Sequence, residues 1–465
     1  WKKDYGKHSF SLMVGHENFE NNFKLLGGTV SQTLISTLPV LDNGVNIEEV
    51  TGNQKDYKVE GYLSRLNYDF DNKYFLNASF RRDGSSVFHP DNRWGNFYGL
   101  GAAWSVNKER FLQNVSWLSN LRLKASIGQQ GNDALLFEDD RTTTPGDPDN
   151  RNYYAYLDQS DVVNAGNNTP GLSFFQLGNK DLIWETSTNI NAGFEIGLFN
   201  GKINLNAEYF QRKVEDLLFY NPVPPFIGVG SKAENIGDMQ NDGVEIEISA
   251  DIVRNKDFNW SVNLNGTHYK NKITKLPDDN IDDSSFRLKE GRSRYDYFMP
   301  EWAGVDPSNG DALWYVVDDN GNKSLTNVNA DATEVFVGKS AIPDVYGGFS
   351  SSLNYKGFGL NLGFAYQIGG YGFDGVYQGL LSPNTVGNNF HNDIYKTWTP
   401  ENKTANIPRI DVFKSDQAGF SDYFLVDASY LSLQDVTLSY DFNNNVLSAL
   451  GLSALRLYAT ANNVK

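Results

Sequence analysis

Strict alternation of apolar and polar residues constrains the fold of this chain more than any other feature. It runs from Ile203 to Tyr209 and from Val244 to Ile252, and it returns over residues 121–128 and 358–367. Because successive side chains of a β-strand point to opposite faces, each stretch predicts a strand with one apolar and one polar face. The polar positions of the first two stretches include Asn204, Asn206, Glu208, Glu245 and Glu247.

About fifteen strands of this kind are predicted. Composition agrees, because 14% of the residues are aromatic and 43 are glycine, which favours strands and turns over helices. The strands are expected to begin near residues 7, 57, 74, 93, 121, 184, 202, 240, 258, 295, 312, 344, 358, 431 and 454.

The connections between the predicted strands are alternately short and long. Asn-Gly at Asn200-Gly201 is the preferred sequence of a type I′ hairpin turn. A soluble sandwich or propeller also has two-faced strands, but tight turns that alternate with long loops are typical of an outer-membrane β-barrel. The short connections are Asp69 to Lys73, Val106 to Asn120, Asn200-Gly201, Arg254 to Asp257, Gly304 to Gly310, Lys356-Gly357 and Asn443 to Ser453, and the long ones are residues 20–56, 84–92, 131–183, 214–239, 271–294, 319–343 and 369–430.

Hydropathy and charge are compatible with such a barrel. The chain has no run of apolar residues long enough for a membrane-spanning helix, and its mean hydropathy is −0.48. These criteria do not detect a β-barrel, because only alternate residues of its strands contact lipid and its mean hydropathy resembles that of a soluble protein. The net charge of −17 argues against nucleic acid as a partner. Neither end shows a signal peptide or a natural stop, so we expect residues 1–465 to be an internal segment of a longer protein.

No catalytic residue, cofactor site or metal site is predicted, and the chain is expected not to be an enzyme. The absence of cysteine excludes thiolate ligands and a cysteine nucleophile. Nucleophile-elbow, phosphate-loop and dinucleotide motifs are also missing. The histidines are not spaced as a zinc pair would be, and they are His8, His16, His89, His268 and His391.

Three local patterns have both a structural and a functional interpretation. The oxygen-rich segment from Asp306 to Asp311 suits a turn better than a calcium loop, and the acidic segment from Asp278 to Asp283 suits a solvated loop better than a divalent-cation site. Aromatic residues in the long loops could stack on sugar rings, but packing of the loop is the commoner role. These aromatic residues are Tyr153, Tyr154, Tyr156, Phe174 and Phe175.

Tryptophan residues gather near the predicted strand ends. They could form the interfacial girdles of a membrane barrel, or they could simply pack strand ends, and the sequence leaves both interpretations open. The residues concerned are Trp94, Trp104, Trp117, Trp184 and Trp260.

Several longer strings closely resemble the barrel of the SusC/RagA family of TonB-dependent transporters. The longest runs from Tyr74 to Leu112, YFLNASFRRDGSSVFHPDNRWGNFYGLGAAWSVNKERFL, and WLSNLRLKASIGQQGN follows from Trp117. The others occur in the family's order along the chain and are NIGDMQNDGVEIEIS from Asn235, WAGVDPSNGDALWY from Trp302, PDVYGGFSSSLNYKGFGLNLGFAYQIGG from Pro343 and WTPENKTANIPR from Trp398.

The resemblance implies an all-β, transmembrane antiparallel barrel of about 22 strands, of which this chain would supply about strands 7 to 21. It also implies an N-terminal plug, early strands and a last strand outside this sequence. The location would be the outer membrane of a Bacteroidetes-type Gram-negative bacterium. The partners would be a SusD-like surface lipoprotein, outer-membrane lipid, and TonB-ExbB-ExbD acting through the missing N-terminal part.

The function implied by the resemblance is TonB-dependent import of an oligomeric nutrient, a glycan first and a peptide as the alternative. Polar-face residues such as Asn204 and Glu245 would then line the wall or pack against the plug. A surface binding or adhesion barrel without transport and a secreted soluble all-β carbohydrate-active protein remain alternatives. The sequence assigns no substrate-binding residue.

Overall fold

The computed structural model describes residues 1–38, 40–136, 151–166, 169–382, 387, 389–443, 447–448 and 451–464. The described chain is built mainly of antiparallel strands, and it divides into two compact units. Unit 1 comprises Trp1–Val115, Leu121–Phe194 and Phe210–Gln240, and unit 2 comprises Ser116–Asn120, Glu195–Tyr209 and Asn241–Lys465.

The first half of the chain contains long strands and, in the connections between some of them, two short two-stranded hairpins. The long strands carry the two-residue alternation that the sequence predicts. In chain order the strands are β1 (Lys2–Tyr5), β2 (His8–Thr33), β3 (Gly44–Phe70), β4 (Tyr74–Ser85), β5 (Trp94–Ser105), β6 (Leu118–Asn132), β7 (Gln159–Asn164), β8 (Pro170–Gln176), β9 (Glu185–Leu198), β10 (Ile203–Glu215), β11 (Leu218–Pro222), β12 (Ser231–Asn235) and β13 (Asp238–Arg254).

In unit 1, strands β1 to β6 pair in sequence order, each antiparallel to the next. The turn from β3 to β4 is tight because Asp71 and Asn72 both adopt positive φ, at 57° and 53°. The Asp69 carboxylate accepts a hydrogen bond from the Asn72 amide at 2.8 Å, which stabilises that turn.

The hairpin of β2 and β3 corrects one sequence-based expectation. Residues 20–56 are predicted as a long loop, but β2 and β3 stay paired as far as Thr33 and Gly44. Charged and amide residues such as Glu20 and Lys58 occupy this extension, and they pair across the strands instead of marking a loop. Each strand is more than twice as long as the 9–11 residues that a bilayer requires. The strands therefore continue beyond the apolar band of the barrel, where many of their residues are polar, and the prediction that these polar residues form a loop is wrong.

The second half of the chain has fewer long strands and more short ones. One α-helix, α1 (Gly375–Leu381), follows β24. The strands are β14 (Phe258–Lys275), β15 (Ile281–Asp283), β16 (Phe286–Leu288), β17 (Asp296–Pro300), β18 (Trp302–Val305), β19 (Ala312–Val317), β20 (Lys323–Thr326), β21 (Glu334–Ser340), β22 (Val345–Tyr355), β23 (Phe358–Ile368), β24 (Tyr371–Phe373), β25 (Leu425–Asp427), β26 (Tyr430–Asp441) and β27 (Arg456–Val464).

In unit 2, β14, β22, β23, β26 and β27 pair in that order. The strands predicted near residues 295 and 312 exist as β17 and β19, but they belong to two small separate sheets, β15-β16-β17-β21 and β18-β19-β20. The connection from Gly304 to Gly310 is therefore a turn within an insertion between β14 and β22, not a turn of the main sheet. Alternation identifies a strand, but it does not identify the sheet that the strand joins.

Two predicted hairpins of unit 2 have the expected geometry. Asn200 and Gly201 adopt φ of 59° and 78°, and Lys356 and Gly357 adopt 48° and 91°. Positive φ at both central positions is the signature of a type I′ turn, which confirms the interpretation of these short connections.

The described loops contain short 3-10 helices at Leu41–Asn43, Val106–Lys108, Pro225–Ile227, Asn329–Asp331, Asn392–Lys396, Ser415–Ala418 and Asp422–Phe424. Within the described residues, no helix combines the length and apolar character that crossing a bilayer demands.

The long loops of each unit pack around apolar cores of their own. In unit 1 the buried residues come from the β4–β5 loop, the β6–β9 connection and the β11–β12 hairpin. They are Val87, Phe88, Leu135, Tyr153, Ala155, Leu182, Tyr220 and Ala233. In unit 2, one core contains Leu381, Ile407, Ala418 and Phe424, and another contains Tyr297, Met299 and Leu425. Burying a large apolar side chain stabilises a fold by about 1.5–3 kcal/mol, so these loops are held in defined conformations.

We expect Gly347→Ala to destabilise the β14–β22 pairing by about 1–3 kcal/mol. Gly347 faces Gly266 across the pair, and a Cβ at Gly347 would lie 2.1 Å from the backbone oxygen of Asn265. Urea unfolding of the full-length protein in detergent, followed by heat-modifiable gel mobility, measures the change. Gly52→Ala in β3 is the matched control, because its Cβ would meet only the Leu25 oxygen at 3.9 Å. Equal unfolding midpoints for the two variants would contradict the close approach.

Candidate functional site

The paired strands of unit 1 present an exposed apolar face. Leu66 and Ala78 are cross-strand partners, as are Phe80 and Tyr98, and Leu100 pairs with Ile127. A continuous exposed apolar surface of this kind marks a contact with another apolar phase. Members of the face that are more than a third exposed include Tyr62, Leu66, Tyr74, Leu76, Phe80, Trp94, Tyr98, Leu100, Leu123 and Ile127.

The opposite face of the same strands is polar and contains a groove. The groove has a volume of about 570 Å³ and is open to one side. Gly99 and Gly128 pair across its floor, where the absence of side chains keeps the space free. Its lining includes the apolar residues Met13, Leu63 and Phe97 and the polar residues Ser64, Arg65, Asn77, Ser79, Arg81, Ser126, Gln129, Gln130, Asn189 and Asn191.

The two arginines of this groove differ in their partners. Arg81 donates to Asp83 through Nε and Nη2, at 3.0 and 2.8 Å, and Nη2 also donates to Glu17 at 2.9 Å. Arg65, which is exposed, makes no ion pair within the described residues. Arg81 is therefore neutralised by carboxylates of β2 and β4, whereas the Arg65 charge, without an ion pair in the described structure, is available to a ligand.

On β14, β22, β23, β26 and β27 the polar face of unit 2 is lined mainly by amides and hydroxyls. Neighbouring strands are linked by Asn263 to Ser350 at 3.3 Å and by Ser352 to Asn361 at 2.6 Å. Thr437 and Thr460 share a hydrogen bond at 3.0 Å between the last two strands. Side chains of this kind offer both donors and acceptors, and they suit the hydroxyl or amide groups of a polar solute.

The polar residues that the sequence singles out lie on β10 and β13 in unit 2. Asn204 donates to the Gly201 oxygen at 3.0 Å and to Ser249 at 3.4 Å. Glu245 and Glu247 are exposed, and neither forms an ion pair within the described residues. Glu208 interacts with other groups of the chain. The Asn206 Oδ1 atom is buried, and no described residue donates a hydrogen bond to it.

The loop aromatics in unit 1 mostly pack against the loops themselves. Tyr153 is 5% exposed in the loop core, and Tyr154 packs against that core while its hydroxyl accepts a hydrogen bond from the Asp56 amide. Tyr156 meets the His89 ring edge-on at 6.0 Å. Phe174 is 42% exposed and Phe175 is partly buried.

The tryptophans near strand ends have different surroundings. Trp94 and Trp104 lie at opposite ends of β5 on the apolar face, and Trp104 stacks on Tyr74 at 6.2 Å. Trp184 instead donates to the Arg93 oxygen and packs on Phe88. Trp117 is 54% exposed, and Trp260 donates to Ser351 at 3.1 Å.

The segment from Asp306 to Asp311 is a turn whose carboxylates are already engaged. Asp306 Oδ1 accepts hydrogen bonds from the amide and hydroxyl of Ser308, at 2.8 and 2.6 Å. The buried Asp311 carboxylate pairs with Arg409 at 3.0 Å and with Lys414 at 2.8 Å. These oxygens therefore already have protein partners, as the turn interpretation expects.

Asp311 also has a strongly lowered pKa. Burial raises the pKa, but hydrogen bonds from Lys414, Asn327 and Gln417 and the charge of Lys414 outweigh burial and lower it to about 2. Trp398 covers the same turn, because a Cβ at Gly310 would lie 2.5 Å from the indole. The carboxylate thus fastens residues 398–417 onto the β18–β19 turn.

The last three residues of the second acidic segment form a short hairpin strand, whereas Asp278 to Asn280 precede it in a loop. Ile281–Asp283 pairs with Phe286–Leu288, and Asp282 forms an ion pair with Arg287 at 2.5 Å. Across the described residues, no group of three or more histidine, aspartate and glutamate side chains converges as a metal site would require.

The sequence does not reveal the ion-pair partners of Asp311, nor that Arg65 has no ion pair within the described residues. Arg409 and Lys414 are 98 and 103 residues away from Asp311, and no spacing rule connects them. Arg65 lies on the polar face of β3, opposite Ser79. Its lack of an ion pair depends on which residues the neighbouring strands bring alongside it.

A family model described as "TonB dependent receptor-like, beta-barrel" matches residues 4–464. Among curated relatives, TonB-dependent receptor P3 of Formosa agariphila is 27% identical over the whole chain and 47% of its own length. TonB-dependent receptor SusC of Bacteroides thetaiotaomicron is 29% identical over 99% of the chain and 45% of its own length. The chain spans about half the length of the curated relatives it matches.

The solved structure described as the RagAB peptide transporter covers the whole chain with a TM-score of 0.86 and 28% identity, and the match spans 50% of that structure's chain. A RagAB peptide importer in an open-open state matches with a TM-score of 0.85 and 27% identity.

We expect Asp311→Asn to free residues 398–417 from the β18–β19 turn, with a loss of about 2 kcal/mol of local stability. The folded-state pKa lies below the usual value of 3.8, so the stabilisation is present above that value and is lost as the pH falls towards 2. Limited proteolysis of the full-length protein at neutral pH should cleave this segment faster in the variant.

The control for this experiment is Asp278→Asn, since Asp278 is exposed and forms no ion pair within the described part of the chain. Unchanged protease resistance in the Asp311 variant would show that the ion pairs do not fasten the segment.

Proposed function

The chain belongs to the family of TonB-dependent receptor-like β-barrels, and on that premise we propose that the whole protein imports an oligomeric nutrient, a glycan in the first place, across the bacterial outer membrane. The chain itself is a barrel segment of an outer-membrane transporter of the SusC/RagA type. The proposed role involves passage of a solute and no chemical step.

The observation that carries the proposal is that the paired strands have one apolar and one polar face in each unit. In unit 2 the apolar face includes the cross-strand pairs Phe349 with Phe364 and Leu360 with Leu438. In an outer-membrane barrel the apolar positions meet lipid and the alternate positions meet the interior. On this basis the groove beside Arg65 in unit 1 and the amide-rich face in unit 2 line the interior of the barrel. Asn77 and Gln130 line the groove and make no side-chain hydrogen bond to the described residues, so they are available to bind a solute.

An oligomeric polar nutrient suits such a surface. Each amide or hydroxyl contributes only about 0.5–1.5 kcal/mol to binding, so a ligand with many repeated polar groups can be held by several contacts at once. Because each contact is weak, such a ligand can also move along the surface by exchanging one hydrogen bond for the next. A glycan supplies hydroxyls at every ring, which fits the neutral wall formed by Asn263, Ser350, Ser352 and Asn361.

A peptide is the second candidate, and a specific observation favours it. Arg65 in unit 1 and Glu245 and Glu247 in unit 2 are exposed charges without ion pairs in the described structure, and charged side chains or chain ends of a peptide would complement them. The solved relatives with TM-scores of 0.86 and 0.85 are described as a peptide transporter and a peptide importer.

The proposed partners act outside this chain. A SusD-like surface lipoprotein would capture the nutrient above the long loops, and TonB-ExbB-ExbD would supply energy through an N-terminal segment and plug. Relatives of about twice this length leave room for such segments. A binding or adhesion barrel without transport remains the competing role for the same loops.

We expect Gly128→Trp to lower uptake several-fold without impairing folding. A Cβ at Gly128 would meet the Gly99 Cα at 3.7 Å, an ordinary distance, so the indole can extend into the groove. The measurement is uptake of a labelled substrate by cells that produce the full-length variant at wild-type levels. Ala125→Trp is the matched control, because Ala125 lies on the apolar face of the same strand, β6. Equal uptake by both variants would remove the groove from the transport path.

Growth of a strain that lacks the whole transporter decides between the two substrate classes. We expect a loss of growth when a defined glycan is the sole carbon source, with growth on peptides intact. The reverse result would assign the peptide role. Normal growth on every oligomer tested would favour the binding or adhesion role.

A further inference from the structure

At one end of the apolar face of unit 1 lies a cation for which the described residues supply no anionic partner. Arg82 follows Leu76 and Phe80 on the same face of β4, and its side chain is exposed. The guanidinium lies over the Trp94 ring, 5.4 Å from the ring centroid. Within the described residues Arg82 has no hydrogen bond or ion pair to another side chain. Its charge is positioned by an aromatic ring and is not neutralised.

The aromatic surface beneath Arg82 is built by the strands themselves. Trp94 pairs with Gly84, and a Cβ at Gly84 would lie 3.0 Å from the indole, so glycine lets the ring lie against the strand. Tyr62 is the cross-strand partner of Arg82, and its ring is 6.2 Å from that of Trp94. His16 continues the surface at 4.8 Å from Tyr62. We call Arg82, Trp94, Tyr62 and His16 the rim site.

The Glu60 carboxylate contacts the rim site at its tyrosine and its histidine, and the described structure shows no ion pair between Glu60 and Arg82. Glu60 Oε1 accepts from the Tyr62 hydroxyl at 2.7 Å and approaches His16 Nε2 at 3.2 Å. Glu60 therefore orients the tyrosine and the histidine. Among the described side chains the Arg82 guanidinium has no acceptor, so its donors are available.

The depth of the rim site follows from strand geometry. Trp94 and Trp104 lie on the same face of β5 and are ten residues apart, or about 34 Å along the strand. With the usual barrel tilt, that length corresponds to a height of about 25 Å, which matches the apolar band of an outer-membrane barrel. Trp104 lies at the end with the tight Asp71–Asn72 turn. Trp94 and Arg82 therefore lie at the opposite, extracellular border, where lipid headgroups begin.

We propose that the rim site binds the anionic headgroup of a phosphorylated glycolipid in the outer leaflet. The planar guanidinium can donate two parallel hydrogen bonds to a phosphate group. Trp94 and Tyr62 supply the amphipathic rings that favour the border between acyl chains and headgroups. The proposal depends on the membrane location of the barrel and not on the transported solute, so its failure would leave the proposed import function untouched.

An arginine at this depth is also tolerated without a ligand, because its head can reach the aqueous phase. Selectivity for the phosphate group separates the two cases. A site that binds the headgroup discriminates between a phosphorylated glycolipid and its dephosphorylated form, whereas an arginine that merely reaches water does not.

The test uses the full-length transporter in detergent, mixed with a phosphorylated lipid A-type glycolipid or its dephosphorylated form, and native mass spectrometry of the bound lipid. Wild type should retain the phosphorylated form preferentially. Arg82→Gln should weaken that retention by roughly tenfold, the value of one charge-assisted hydrogen bond. Arg65→Gln is the matched control, because it removes an exposed, unpaired cation from the polar face, and it should retain the glycolipid as wild type does.

Equal retention by wild type and Arg82→Gln would overturn the proposal, and so would equal retention of the two glycolipids. Displacement of the glycolipid by an equal concentration of inorganic phosphate would also overturn it, since the anion alone would then be the ligand. If Arg82→Gln does not fold, Trp94→Ala keeps the charge but removes its aromatic support. It should weaken retention several-fold, and unchanged retention would contradict the site.

Discussion

Backbone hydrogen bonding is the constraint on which the structure of this chain depends. A strand inside a bilayer has no water to satisfy its amide and carbonyl groups, so every such group must pair with a neighbouring strand. The long strands meet this demand by antiparallel pairing with unbroken runs of partners, as between Val59–Phe70 and Tyr74–Ser85. Once the strands are paired, the two-residue period separates the side chains into an apolar face and a polar face.

The polar faces and the long loops then carry the functional differences. In unit 1 the polar face combines Arg81, which is held by Asp83 and Glu17, with Arg65, which lies beside a groove and has no ion pair in the described structure. In unit 2 it offers mainly hydroxyls and amides. The loops are packed around cores such as the one that contains Phe88 and Tyr153, and the buried Asp311 fastens another loop. Loops ordered in this way can present a fixed surface to a nutrient or to a partner protein.

The sequence predicts the strands well and the loops poorly. Alternation over residues 203–209 and 358–367 predicts β10 and β23 because each residue needs only its neighbours to define a face. The Asn200-Gly201 and Lys356-Gly357 turns follow from local chemistry in the same way. The loop predicted for residues 20–56 is wrong because the β2–β3 hairpin continues into polar residues. The sequence predicts β17 and β19 as strands but does not reveal the sheet to which they belong, because that depends on partners far away in the chain. The free charge of Arg65 and the ion pairs of Asp311 also depend on distant strands and loops, which local patterns do not reveal.

The most direct test of the account is a scan of β4 with single spin-labelled cysteines at positions 75 to 81 of the full-length transporter in a lipid bilayer. This chain contains no cysteine of its own to interfere. Collision with oxygen reports lipid exposure, and collision with a water-soluble nickel complex reports exposure to the interior. The account predicts a two-residue period, with labels at 76, 78 and 80 exposed to lipid and labels at 75, 77, 79 and 81 exposed to water. Labels that show no such period, or the opposite phase, would contradict the assignment of the polar face to the interior of the barrel.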